Sequence, residues 1–122
     1  MATIGATLAD VAAGRVAIEL PIEPRLSQQN GLLHAGVVVA ALDSACGYAA
    51  LTLMPDAVDV LTVELKINLL APAGGTRLLA QGEVLRAGRT LTVCRGDAHA
   101  EHEGERVHVA TMLATMVRRR AG

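Results

Sequence analysis

The sequence predicts an α+β protein in which a strand and one long helix are followed by four consecutive antiparallel strands. Three observations carry this. The run from Ala35 to Met54, AGVVVAALDSACGYAALTLM, is almost wholly apolar and stops at Pro55, which cannot continue a helix. Leu61, Val63, Leu65, Ile67 and Leu69 then alternate with Thr62, Glu64, Lys66 and Asn68, the period of a strand with one buried face. Beyond them, glycine-containing turns break the remaining chain into three further strand-length pieces.

Taken in order, Val16, Ile18 and Leu20 alternate with Arg15, Ala17 and Glu19 until Pro21 and Pro24 end a first strand. Residues 22–33 read as a loop, and the helix starts near His34. The clearest strand, Leu61–Leu69, is broken by Pro72 and Gly74-Gly75. A third strand over about 76–87 passes through Ala87-Gly88 into a fourth over about 89–101. The turn His102-Glu103-Gly104-Glu105 leads to a fifth over about 106–118. There Val107, Val109, Leu113 and Val117 line one face and Ala110, Met112, Ala114 and Met116 the other, so both faces are expected to need cover. Strands of about twelve residues span roughly 40 Å, and a sheet that long must twist and curl. The helix is the object it can curl around.

Composition limits the possibilities. At 122 residues the chain forms one domain, 1–122, with a modest core. A net charge of −1 argues against a nucleic-acid partner held by electrostatics. Arg118-Arg119-Arg120 reads as a solvated end. Hydrophobic residues make up 52%, with no Trp, no Phe and a single Tyr, so Val, Leu, Ile and Ala must build the core. That much apolar surface on a small domain implies cover by a second copy of the chain. Cys46 and Cys94 lack metal-ligand spacing, and the first residues lack a signal-peptide pattern, so a reduced cytoplasmic protein is expected. Residues 35–54 would suffice in length for a bilayer. Asp43 near its centre, at a cost of about 2.5–3.5 kcal/mol, argues against that.

Asp43 is the only charged residue in the apolar run, and such a carboxylate is seldom buried without a partner or a task. It could activate water as a general base or attack directly as a nucleophile. A helix beginning at His34 presents free N–H groups at its first turn, backed by the positive end of the helix dipole. Ala35 and Gly36 are small enough for a ligand to approach that backbone, which suits a developing oxyanion. Gln28, just upstream, offers a second amide donor. Thr62 offers a hydroxyl to position water or carboxylate. Ala35 and Asp43 are eight positions apart, about 12 Å along one helix and about 80° around it. One chain cannot aim both at one carbonyl carbon, whereas antiparallel helices related by a twofold can.

The pattern Gln28-x-x-Gly31-x-x-His34-Ala35-Gly36, with Asp43 nine residues after the histidine, resembles the signature of hotdog-fold acyl-CoA thioesterases of the phenylacetate-degradation (PaaI-like) type. The strand-helix-four-strand order and the length fit that family across essentially the whole chain. The resemblance implies a long central helix wrapped by a curled antiparallel sheet, in a homodimer with sheets joined edge to edge and often paired again into a tetramer. By position, Asp43 matches the base or nucleophile, the Ala35 N–H the oxyanion donor, and Gln28 the polarising amide. Thr62 falls where relatives carry a hydroxyl residue. His34 and Gly36 flank the donor, and Arg86, Gly88, Arg89 and Thr90 match a hairpin that often contacts coenzyme A. Two departures stand out: Ala35 replaces the first glycine after His34, and Gln28 stands where closer relatives often have Asn.

Structural readings stand beside these. Asp43 could be a satisfied buried acid, His34 a holder of the loop, Gln28 a partner for loop backbone, and Thr62 a polar-face residue. Arg86-Ala87-Gly88-Arg89 is by default a solvated hairpin, and the His and Glu residues from His99 to His108 a solvated acidic turn without a closed metal-ligand set. The expected activity is hydrolysis of an acyl-CoA thioester without metal or redox cofactor. The alternatives are a dimeric module that binds acyl-CoA or a metabolite without cleaving it, and a hydratase, for which the Gly-Asp-x-Asn-Pro-x-His run is missing.

Overall fold

The alternating second half of the chain does form long strands, and among the described residues one helix packs on them. In the computed structural model, which describes residues 5–23, 26–27 and 31–120, the order is β1 (Thr7–Ala12), β2 (Arg15–Pro21), α1 (Ala35–Leu51), β3 (Ala57–Leu69), β4 (Arg77–Ala87), β5 (Leu91–His102) and β6 (Glu105–Arg120). The six strands make one antiparallel sheet, ordered β1-β2-β4-β5-β6-β3, and α1 packs on one face of it. Five strands were expected. The sixth, β1, turns into β2 through Gly14 at φ 75°, and every one of its residues is exposed. A strand with no buried face leaves no period in its sequence to read.

Helix α1 begins where expected, with His34 extended at the N-cap and no side-chain cap. It stops at Leu51 rather than running on to Met54. The reason is Thr52, whose hydroxyl donates to the Ala49 carbonyl at 2.6 Å and accepts the Gly14 N–H at 2.7 Å. That side chain both closes the last turn and ties it to the β1–β2 turn. Among the described residues no helix is long and apolar enough to cross a membrane.

In β5, Thr92, Cys94, Gly96, Ala98 and Ala100 are buried while the residues between them face away from α1. In β6, Met112, Ala114 and Met116 are buried, whereas Leu113 and Val107 are exposed, so the protomer covers only one of the two faces. Val109 departs from the expected alternation. The register jumps from Ala98↔Ala110 to His99↔His108, which leaves Val109 in a bulge and 1% exposed. The core is aliphatic: Ile18, Leu20, Leu42, Leu78, Met112 and Met116 are fully buried, each contributing roughly 1.5–3 kcal/mol relative to exposure.

Two charged segments are largely exposed, as expected, but carry ion pairs that tie strands together. Arg118–Arg120 belong to β6 and pair with the start of β3, where Arg119 Nε donates to Asp59 Oδ1 at 2.9 Å. Glu101 accepts from Arg77 Nε at 3.1 Å and from Arg106 Nε at 3.1 Å, while Glu103 and Glu105 remain exposed.

Candidate active site

Asp43 lies midway along α1, half-buried on the side that faces the edge strand β3. Thr62, whose strand partner Met116 is buried against the helix, points to the same side. Its Oγ1 donates to Asp43 Oδ1 at 2.6 Å. Among the described residues, no Lys or Arg pairs with Asp43.

The two groups border a hollow of about 280 Å³ between α1 and β3, with Gly47, Tyr48, Leu51 and Asp59 among its walls. Gly47 keeps it open, since a Cβ there would stand 3.3 Å from Val60 Cγ2. Asp59 is not a second free acid. Hydrogen bonds from Arg119 hold its carboxyl below the usual carboxylate range. The sequence points to Gly47, with Ala49 and Ala50, as small residues that open room for an acyl group, but not to Tyr48, Leu51 or Asp59. The signal available was the helical spacing from Asp43 to Gly47 and Leu51, four and eight residues on.

The start of the helix opens into a different hollow, of about 410 Å³, lined by Leu33, Ala35, Val38, Leu69, Leu70 and Val109 among others. Ala35 and Gly36 are exposed, and a Cβ on Gly36 would meet nothing within 4 Å. Val37 N–H donates to the His34 carbonyl at 3.0 Å, while the Ala35 and Gly36 N–H groups have no carbonyl one turn back within the helix, and the dipole makes that end electropositive. His34 is exposed too, its backbone N–H donating to the Leu26 carbonyl at 3.2 Å. Within one protomer the structure therefore brings Asp43 and Thr62 together but keeps Ala35 in a separate hollow. Gln28 lies outside the described residues.

The hairpin bearing Arg86, Gly88, Arg89 and Thr90 links β4 to β5. Its two arginines and Thr90 are exposed, and Gly88 N–H donates to the Leu91 carbonyl at 2.8 Å. A Cβ on Gly88 would stand 2.6 Å from that same oxygen, so the turn requires glycine. Ala87 is level with Thr62 through Thr92 and Met116, three strands away, or about 14 Å at strand spacing.

Both cysteines are free and buried. Burial pushes the Cys46 thiol up to about 12, with nearby Cys94 adding to the shift, and pushes Cys94 up to about 11. On the sheet's outer face His99 and His108 stack with ring centroids 4.7 Å apart. His108 Nε2 lies 2.9 Å from Asp97 Oδ1. Burial, then the neighbouring His108, lowers the pKa of His99. Among the described residues no group of three or more His, Cys, Asp or Glu side chains is placed to hold a metal ion.

One helix laid on a six-stranded antiparallel sheet of this order is the hotdog thioesterase fold. The thioesterase superfamily model matches residues 30–107, and the chain belongs to that superfamily. Its structure is similar to that of a thioesterase family protein from Silicibacter pomeroyi, with a TM-score of 0.96 and 48% identity over 99% of this chain and 89% of the other. A Bacillus halodurans protein crystallised with CoA matches with a TM-score of 0.82 and 27% identity, over 95% of this chain and 75% of that one. In sequence, the medium/long-chain acyl-CoA thioesterase YigI of Escherichia coli is 31% identical over 99 residues, which is 70% of this chain and 62% of YigI. The chain spans 56% to 62% of the length of the curated relatives it matches.

Proposed function

We propose that this protein hydrolyses acyl-CoA thioesters, as a PaaI-like enzyme whose sites are shared between two protomers. The observation that carries the reading is the Thr62–Asp43 hydrogen bond at an edge strand, paired on one side with β6, whose far end borders the helix start. Leu61, Val63 and Leu69 of that strand are each more than half exposed, as expected of a surface that another copy covers. Pairing β3 with its own copy about a twofold near Leu65 would set the partner's Leu69 opposite Thr62. The partner's Ala35, beside that leucine, would then stand near Asp43. The two hollows of separate chains would become one site, in a sheet curled around each helix.

The chemistry follows from the charges. The partner's Ala35 N–H, with the partner's Gln28 amide, would hold the thioester oxygen as it becomes anionic. A single donor of this kind is worth about 10²–10³ in rate. Asp43, oriented by Thr62, takes a proton from water as the water oxygen bonds to the acyl carbon; in the covalent variant, Asp43 attacks that carbon itself, and after the thiolate has left, water hydrolyses the resulting acyl–Asp43 anhydride to the free acid. The C–S bond breaks, and the CoA thiolate leaves and is protonated. His34 and Gly36 shape the donor end, and Arg86, Gly88, Arg89 and Thr90 would meet the nucleotide phosphates of CoA. No metal or redox group enters. CoA in the Bacillus halodurans structure and the activity ascribed to YigI support this substrate class. A pairing of dimers and a cytoplasmic location complete the proposal. Asp43→Asn should abolish thiol release in a chromogenic assay while leaving a folded dimer. Near-normal turnover in that variant would reject the assignment, and tight acyl-CoA binding with no turnover in the unaltered protein would favour a binding module instead.

A further inference from the structure

The hollow at Asp43 has a neighbour that its chemistry does not use. Between α1 and the β1–β2 hairpin lies a second hollow of about 220 Å³, lined by Leu8, Val11, Val16, Tyr48, Leu51 and Thr52. Tyr48 and Leu51 wall both hollows. Tyr48, the only Phe, Tyr or Trp in the chain, is 45% exposed at this partition. On the near side stand two carboxylates and the Thr62 hydroxyl, and on the far side the lining is almost wholly aliphatic. Leu8 and Val11 of β1 are exposed with no core packing to explain their apolar character. From Asp43 to Leu51 the helix rises about 12 Å, and Gly47 leaves that stretch open against Val60.

We propose that Tyr48, with Leu51, sets the length of acyl chain the site accepts. The proposal rests on the thioesterase reading above and adds the direction in which the acyl chain runs. A group with its carbonyl at Asp43 extends past Gly47 toward Leu51 and meets the ring of Tyr48. Beyond that ring, the β1-side hollow could take further methylenes, each of which would strengthen binding roughly fourfold if fully buried. Asp59 does not draw a polar tail instead, because Arg119 already neutralises it. Tyr48 thus works as a partition, and chain length is decided by ring size rather than by the phenol hydroxyl.

The test is kcat/KM by thiol release across saturated acyl-CoA substrates from butanoyl to hexadecanoyl, read as the ratio of long-chain to short-chain values. Tyr48→Ala should raise that ratio by about tenfold or more, within the range that hydrophobic pockets discriminate. Tyr48→Phe should keep the parent ratio. Val11→Trp, added to Tyr48→Ala to fill the β1-side hollow, should return the ratio to the parent value. Because Tyr48 is nearly half exposed, its truncation leaves no sealed cavity, and circular dichroism verifies the fold. Unchanged ratios in Tyr48→Ala, with hydrolysis intact, overturn the role of Tyr48 and leave the thioesterase reading standing. An unaltered protein that cleaves no acyl-CoA of any length overturns both.

Discussion

Gly82 of β4 and Gly96 of β5 are cross-strand partners, and the backbone of α1 lies directly on Gly82 while α1 side chains close over Gly96. A Cβ on Gly82 would stand 2.6 Å from the Cys46 nitrogen and closer still to the Ala45 carbonyl group. With no side chain on either glycine, the helix settles onto the sheet rather than riding above it. This seat lies two to three residues beyond Asp43 and so fixes the height at which the carboxylate meets Thr62.

Gly82→Ala should therefore be costly. A methyl forced against backbone cannot be accommodated by a rotamer change, and overpacking of this kind costs about 1–3 kcal/mol or more. At Gly96 the nearest atoms are the ends of side chains, Leu42 Cδ2 at 3.0 Å and Cys46 Sγ at 3.1 Å, so Gly96→Ala should cost less. Urea titration of both variants checks the order. Equal losses would mean that the helix does not rest on Gly82 as described.

The contrast shows what was legible in the sequence. β3 could be read because apolar and polar residues alternate along it, although within one chain Leu65 and Ile67 are only half-buried and Leu61, Val63 and Leu69 are exposed. β1 could not, because all six of its residues face solvent. Asp43 stood out because its neighbours on the chain are apolar. The walls of its hollow did not, because Asp59 and Val60 reach it only through the β3–β6 register and the packing of α1. The Val109 bulge was likewise invisible, since it depends on how β5 and β6 align and not on either strand alone.

Removing the Thr62 hydroxyl while keeping its shape tests its role as a positioning residue. Hydrogen bonds to charged groups are worth about 1.5–3 kcal/mol. Thr62→Val should lower kcat/KM by about tenfold or more on that basis, while Thr62→Ser, which restores the donor, recovers most of it. In an Asp43→Asn background, Thr62→Val should cost little more, because the pair acts as a unit. Fully additive losses would separate the two residues.

The exposed edge of β3 supplies a second test of the shared site. Val63 is 55% exposed on that strand, and a charge on an edge strand opposes pairing with another chain. Val63→Lys should give a monomer by light scattering and should lose thiol release together with the dimer. A monomer with undiminished turnover would contradict a site built from two chains.

Cys46 and Cys94 should resist thiol reagents in the folded protein, because burial holds both thiols protonated well above neutral pH. The same shifts make stability depend on pH. The folded values, about 12 and about 11, lie above the unfolded value near 8.5. The stabilising contribution is thus complete below about pH 8.5 and declines as pH rises toward the folded values. The urea midpoint should fall from pH 8 to 10, and Cys46→Ala should flatten that fall. Rapid labelling of both thiols at pH 8 without denaturant would show that they are not enclosed.

At the acid end the carboxylates of Glu101 and Asp59 govern the response. Hydrogen bonds from Arg77, then from Arg106, hold Glu101 below its usual range, and Arg119 does the same for Asp59. A depressed folded value means that the unfolded chain takes up protons first as pH falls. Stability from these groups is complete above about pH 5 and is lost as pH drops through the folded values. Glu101 on β5 is the centre of a network over four strands, because its Arg77 partner on β4 also donates to Glu19 of β2 at 2.7 Å and Arg106 lies on β6. Glu101→Gln should therefore lower the urea midpoint at pH 7 and also flatten its decline between pH 5 and pH 3. Asp59→Asn should flatten the same decline through a separate pair at the other end of β6, so the double variant should add the two effects. A decline as steep in the double variant as in the parent would assign acid unfolding to other groups.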